Sequence, residues 1–369
     1  MRTERPQDER ESYLTLSLVP GIGAVRLQAL LDSLGAPSAV LGAPVARLRT
    51  ELGATIAGAV RHADRGAARR ALAELTGMGG HMVLPTDPTY PEALRTIADP
   101  PTYLFAQGRL ELLARPAVAI VGSREHSQYG AEVCQAIARA AALAGLVVVS
   151  GMARGLDAVA HQGALSVNGD TIGVLGNGLG VVYPLANRRL YREVIGHGLL
   201  LTECLPGEPP NAGSFQRRNR LISGLARVTI VVEAAVTSGA LQTARLALDQ
   251  GREVLAVPGP ITSPVSAGTN ALIRDGATPL LELDDLLRHY ADAIHPPPAG
   301  PQSAAAPPPL ERRLLNALQV EPLQTEQLVE RSGAPVVEAL DALSALELSG
   351  KVKQEIGGRY RLVAAGLFR

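Results

Sequence analysis

The chain has 369 residues, 46% hydrophobic and 19% charged, too apolar for wholesale disorder and long enough for two or three domains at roughly 150 residues each. Lys plus Arg and Asp plus Glu number 35 each, so the net formal charge is zero and a global positive field is excluded. Any nucleic-acid site must therefore come from local placement of charge. Lys351 and Lys353 are the only lysines, which leaves arginine to carry nearly all the positive charge. With 3% aromatic residues and no Trp, binding cannot rest on a long series of stacking platforms. Cys134 and Cys204 show no metal-ligand spacing and read as structural thiols in a reduced compartment. The polar start MRTERPQDERES lacks an apolar signal core and no stretch reads as membrane-spanning, which predicts a cytoplasmic location and no membrane.

In chain order, residues 12–75 read as helices. Within them, Leu18-Val-Pro-Gly-Ile-Gly23 ahead of Ala24–Leu34 has the style of a helix–hairpin–helix, either a phosphate contact or a plain interhelical turn. A strand is expected at Tyr103–Ala106. From residue 116 to about 290 apolar strands alternate with Ala-rich helices. The strands are Ala117–Val121, Leu146–Ser150, Thr171–Leu175, Leu199–Thr202, Thr229–Glu233 and Glu253–Val257. Ala131–Ala144, Asp157–Leu165, Asn187–Ile195 and Leu241–Asp249 are the expected crossover helices. These strands lack polar alternation, as a sheet covered on both faces requires, so the chain predicts an α/β fold with an extended, mostly parallel, Rossmann-like doubly wound sheet. Residues 291–309 hold seven prolines in 19 positions and read as a linker. Residues 310–369 read as helices at Glu311–Leu318, Thr325–Arg331 and Pro335–Leu346, then Val352–Ile356 paired with Tyr360–Leu362 across Gly357-Gly358. That order suggests a winged-helix-like domain. Its eight basic and eight acidic residues cancel, which weakens a DNA-reading role and leaves protein contact open. The expected division is a helical N-terminal domain over 1–80, the α/β domain over 81–290, the linker, and the tail.

Ligand signals cluster at strand ends. Gly122, Ser123 and Arg124 follow the first central strand, where amides and a guanidinium can hold an anion. Ser150, Gly151 and Arg154 lie in Ser150-Gly-Met-Ala-Arg-Gly-Leu-Asp157 at the next strand end. Asp157 can cap a helix, and His161 lies four residues on, where a structural hydrogen bond is the favoured reading over acid catalysis. Gly176-Asn-Gly-Leu-Gly180 is a third such loop. In an open α/β sheet these ends converge on one crevice. Asn211–Arg227 carries four basic residues and no acidic one: Phe215 is placed to stack on a base, and Arg217, Arg218 and Arg220 with Asn219 to meet several phosphates. Ser238 and Gly239 form another helix entry, while Glu233 serves either a sugar or base donor or an ion pair to Arg220. The prediction is one trough lined by the small turns and the 217–220 guanidinium groups. No GxxxxGK[ST] loop, zinc-ligand spacing, HExxH or GxSxG occurs, so no catalytic residue, cofactor or metal is assigned and the chain is read as a non-enzyme.

Taken together, Tyr90-Pro91, Asp99-Pro-Pro101, the 122–124 GSR, SGMARGLD, Tyr183-Pro184, Leu201-Thr-Glu203, the 215–220 FQRRNR, Glu233-Ala, Ser238-Gly239, Arg252–Gly259 and Gly268-Thr-Asn resemble the bacterial DNA-processing protein A family (DprA, also called Smf). The resemblance runs strongly from Pro85 to Gly276, and the helical start and winged-helix-like tail look like family accessories. It implies binding of single-stranded DNA and loading of the RecA recombinase during natural transformation and homologous recombination. It also implies protection of incoming DNA, remodelling of single-strand-binding protein, and a homodimer formed through the Rossmann-like domain. By motif correspondence the DNA site would use Gly122, Ser123, Arg124, Ser150, Gly151, Arg154, Arg217, Arg218, Asn219, Arg220 and Ser238. The alternative, a nucleotide-processing hydrolase of the Rossmann-like cytokinin-activating group, is expected to show PGGxGTxxE, which Glu233–Ala240 lacks. A dimer-forming scaffold is a third reading.

Overall fold

Helices whose apolar residues recur every three to four positions need a surface to bury them against, and the five N-terminal helices find it partly on the sheet. The computed structural model describes residues 6–293, 308–319, 321–355 and 357–362. Most of the expected 291–309 linker, together with Ile356, lies outside them. The helices are α1 (Pro6–Ser17), α2 (Ala24–Leu34), α3 (Pro37–Gly42), α4 (Val45–Arg61) and α5 (Arg65–Gly77). Leu14, Leu27, Leu30 and Leu48 share one core with Met82, Phe105, Met152 and Leu175 of the α/β part. Tyr13 donates to the Thr102 carbonyl at 3.0 Å and Arg10 pairs with Asp87 at 2.8 Å. The core that the N-terminal helices form among themselves therefore continues onto the sheet.

The α/β part runs β1 (His81–Val83), α6 (Glu92–Arg95), β2 (Leu104–Gly108), β3 (Ala117–Val121), α7 (Gln128–Leu143), β4 (Val147–Gly151), α8 (Leu156–Leu165), β5 (Thr171–Val174), α9 (Arg188–His197), β6 (Leu199–Thr202), α10 (Ala212–Leu225), β7 (Val228–Val231), α11 (Gly239–Asp249), β8 (Glu253–Ala256), α12 (Ala267–Arg274), β9 (Thr278–Pro279) and α13 (Leu283–Leu287). The nine strands lie in the order β1-β2-β6-β5-β4-β3-β7-β8-β9. The β1–β2 and β2–β6 pairs are antiparallel and the others parallel, which gives the mixed, mostly parallel sheet. β3 to β7 are buried along their whole lengths, as unbroken apolar runs require. From β3 the chain winds outward through β4, β5 and β6, then returns to the other side of β3 as β7. That reversal puts a topological switch point between the C-terminal ends of β3 and β7.

One crossover departs from the sequence reading. The Asn211–Arg227 segment contains a full helix, α10, started by a reciprocal cap between Asn211 and Ser214. Its arginines obscure the apolar spacing of Leu221, Ile222 and Leu225. β1 and β9 were also not expected from sequence, being only three and two residues long.

The tail forms α14 (Pro309–Ala317), β10 (Leu323–Gln324), α15 (Thr325–Ser332), α16 (Val336–Leu348), β11 (Val352–Gln354) and β12 (Arg359–Leu362). With sheet order β10-β12-β11 this is a winged helix. Leu314, Leu328, Leu343, Leu346 and Val352 fill its own core.

Candidate nucleic-acid interface

The switch point holds an open trough of about 900 Å³. Its walls are the loops after β3, β4 and β7 and the first turns of α10 and α11. Two backbone bonds close β3 onto β7 at the rim: the Ser123 amide donates to the Glu233 carbonyl at 2.8 Å, and Val232 to the Val121 carbonyl at 3.1 Å. The Glu233 carboxylate turns away, accepting the Ser127 amide at 2.9 Å and the Ser127 hydroxyl at 2.5 Å. Ser127 in turn caps α7. Glu233 is therefore a support for α7, and neither of its expected roles, a sugar or base contact or an ion pair to Arg220, is seen.

The β4 loop is fastened to the β3 loop. Gly155 sits at φ +82°, and a Cβ there would run into the Ser123 and Arg124 backbones. The next amide, Leu156, donates to the Ser123 carbonyl at 3.1 Å. This close backbone approach sets Arg124 and Arg154 on the same trough, both exposed. Neither forms an ion pair among the described residues, so both guanidinium groups are free for an anion.

Helix α10 divides the arginine cluster. At about 100° per residue, positions 215, 218, 219 and 222 share one face and 214, 217, 220 and 221 the other. Accordingly Phe215, Arg218 and Asn219 line the trough, whereas Arg217 and Arg220 line a separate cavity of about 360 Å³ with Asp99, Glu203 and Glu208. The expected single trough containing all three guanidinium groups does not form. Arg220 is clamped by Asp99 at 2.9 Å and Glu203 at 2.7 Å. Burial pushes the Glu203 carboxyl up, while Arg220 pulls it back. Arg217 stays exposed.

Arg218 reaches the trough only as part of its floor. It is buried, its Nη1 donates to the Val174 carbonyl, and it lies beside the buried Asp157 carboxylate. A Cβ at Gly151 would collide with both groups, so only glycine leaves room for them side by side here. Burial raises the Asp157 pKa against the pull of Arg218, and lowers that of Arg218. Ser150 is buried as well and donates to the Ile120 carbonyl at 2.6 Å. Ser150 and Gly151, expected to meet ligand directly, therefore lie beneath the surface and hold its floor. His161 does not pair with Asp157. Its Nδ1 lies 2.6 Å from Thr171 Oγ1 and its Nε2 2.9 Å from the Gly151 carbonyl. Burial lowers its pKa to about 4, so the ring is neutral at pH 7.

The remaining sequence-predicted residues, Gly122, Ser123, Asn219, Ser238 and Gly239, line the trough together. Ser238 caps α11, its hydroxyl accepting the Ala240 amide at 3.3 Å, so the positive end of that helix faces the opening. Sequence reasoning missed a second aromatic. The exposed Tyr183 ring tilts against Phe215 with centroids 5.6 Å apart, beside a narrow recess walled by Met152, Tyr191 and Arg218. Only its adjacent proline and glycine loop hinted at a placed tyrosine. The trough thus combines two free arginines, a helix N-terminus, small polar loops and an aromatic pair, which suits a chain of phosphates carrying flat bases. Among the described residues no group of three His, Cys, Asp or Glu could hold a metal ion.

Comparison with known proteins places the chain in a family. Residues 81–291 match the model of the DNA recombination-mediator protein A family. The chain belongs to this family. Residues 296–358 match the DprA winged helix domain. Protein Smf of Escherichia coli is 40% identical over 290 residues, covering 76% of this chain and 78% of that protein. DNA processing protein DprA of Streptococcus pneumoniae is 43% identical over 204 residues, 55% of this chain and 72% of that one. The X-ray structure of the Streptococcus pneumoniae DprA superposes with a TM-score of 0.66 at 33% identity, over 75% of this chain and 97% of its own. A Helicobacter pylori DNA processing protein A, whose structure addresses its single-stranded DNA binding mode, gives 0.53 at 31% identity, over 58% and 97%. Members of the DprA/Smf family bind single-stranded DNA and mediate RecA loading during transformation and recombination.

Proposed function

We propose that this chain binds single-stranded DNA in the trough between β3 and β7 and hands it to RecA. The observation that carries this reading is the pair of free guanidinium groups, Arg124 and Arg154, set on one anion-ready trough with the Phe215–Tyr183 pair. Phosphates meet the two arginines, the Gly122–Ser123 loop and the Ser238–Gly239 helix entry, while Asn219 offers a hydrogen bond to phosphate or base. A base rests on Phe215 and Tyr183. Ser150, Gly151 and Arg218 act from below by holding the floor, and Arg217 and Arg220 fall outside the primary contact. Duplex DNA fits less well, because pairing keeps its bases from reaching the aromatic pair.

In this reading the 81–290 part is the DNA-binding domain, with 1–80 as its helical buttress and 310–369 as a separate winged-helix module joined through 291–309. The protein works in the cytoplasm as a homodimer, and two troughs on one strand raise the effective affinity. Such a dimer protects incoming DNA, displaces single-strand-binding protein and exposes the strand to RecA. Fluorescence anisotropy with an oligothymidine and a hairpin duplex, each over a salt series, tests the proposal. Tighter single-strand binding that weakens with salt is expected; equal binding of the duplex would overturn it.

A further inference from the structure

In a winged helix the third helix is the one presented to the DNA major groove, and here that helix is α16. Its chemistry opposes a phosphate lattice. Glu338, Asp341 and Glu347 are exposed, and no Lys or Arg occurs from Val336 to Leu348. None of the three carboxylates joins an ion pair among the described residues; Glu347 only accepts the Gln354 amide at 3.2 Å. The same helix exposes Val336, Val337, Leu340 and Leu348, by 40% to 90%. These are four of the 13 large hydrophobic side chains exposed among the described residues, gathered on one helix. Projected at 3.6 residues per turn, they fall within a sector of roughly 120°, as wide as the stripe a helix ordinarily buries. Glu347 lies within that sector, Asp341 on its border and Glu338 beyond. The core-facing side, Ala339, Leu343 and Leu346, is separate and filled.

We propose that α16 is a docking face for a protein partner presenting an amphipathic helix, its apolar row bordered by Lys or Arg. Charge complementarity selects this occupant. Free carboxylates on and beside an apolar stripe attract a basic rim, repel a nucleic-acid backbone, and set like charges against each other if a second copy packs through the same helix. The surface is on a different domain from the trough, so the two readings fail independently.

The test uses the full chain with its trough saturated by oligothymidine. The probe is a fluorescein-labelled synthetic helix of about 18 residues, with Leu at i, i+3, i+4 and i+7 and Lys on the flanks, against a scrambled peptide of the same composition. The periodic peptide is expected to bind at least about tenfold tighter than the scrambled one. The double variant Val337→Ser, Leu340→Ser should weaken it at least about tenfold, the loss expected for two aliphatic groups no longer buried. Glu338→Lys with Asp341→Lys should weaken it and remove its salt dependence. All four side chains are exposed, so melting temperature and oligothymidine affinity should not move in either variant. Absence of peptide binding, binding indifferent to both variants, or binding only when the oligonucleotide is left out would overturn the proposal. So would a fall from dimer to monomer in Val337→Ser, Leu340→Ser, which would make a second copy the occupant, or a loss of duplex DNA binding, which would make it DNA.

Discussion

Replacing Arg124 and Arg154 together with Ala should weaken single-strand binding without touching the fold. Both side chains are exposed and outside any described ion pair, so their removal leaves no buried partner stranded. At about 1–2 kcal/mol for each charge-assisted hydrogen bond removed from a solvated site, the double variant should bind roughly 30- to 700-fold less tightly. Two fewer phosphate contacts should also flatten the slope of log affinity against log salt by about 1.4. Arg217→Ala is the matched control, because Arg217 faces the cavity on the other side of α10; its affinity should change less than about threefold, with the slope unaltered. Anisotropy of labelled oligothymidine between low and moderate salt, with melting curves for each variant, reads both quantities. A folded double variant that keeps its slope, or an Arg217→Ala that reproduces the loss, would refute the placement.

Arg218→Ala should act through folding, since it removes a buried guanidinium that donates to the Val174 carbonyl beside Asp157, and should cost about 1–3 kcal/mol in a denaturant titration; a stable variant with selective loss of DNA binding would contradict the floor role. Gly155→Ala, forced to a positive φ and against the Ser123 backbone, should lose about 2–5 kcal/mol and bring down DNA binding with it, whereas an unchanged melting curve would show that the two loops are not fastened there. Phe215→Ala should weaken binding about 5- to 150-fold while leaving the salt slope intact, because stacking releases no counterion; a flattened slope would mean the ring positions an arginine instead. The His161 pKa of about 4 lies below its unfolded value, so its contribution to stability is complete above about pH 6.5 and is lost as pH falls through 4. Proton NMR of the ring should show no titration above pH 5, and a midpoint near 6.5 would contradict its burial.

The central sheet was legible because both faces of its strands are covered, leaving unbroken apolar runs punctuated by glycine loops. Those loops also marked the crevice, since strand ends on one sheet edge must converge. What sequence did not show was direction. Three arginines within four residues look like one patch until α10 is recognised, and its rotation sends Arg217 and Arg220 away from Arg218. The cap at Asn211 and the spacing of Leu221, Ile222 and Leu225 carried that information, diluted by the polar residues between them. Glu233 and Ser127 are 106 positions apart, so no local pattern announces their bond. Nor does a serine that supports a floor differ in sequence from one that meets a ligand: Ser150 and Ser123 part ways only through burial. The N-terminal helices were legible as helices, but their shared core with Phe105 and Met82 depends on the sheet edge they cover.

The most direct test of the trough as the DNA site is photocrosslinking of the full chain to an oligothymidine carrying 4-thiothymidine, with crosslinked peptides mapped by mass spectrometry. The account predicts crosslinks at residues 122–125, 152–155, 183–184, 215–216, 218–219 and 235–240, all on one side of α10. Crosslinks confined to the Arg217–Asp99 side of that helix or to α16, with the trough segments clean, would contradict it.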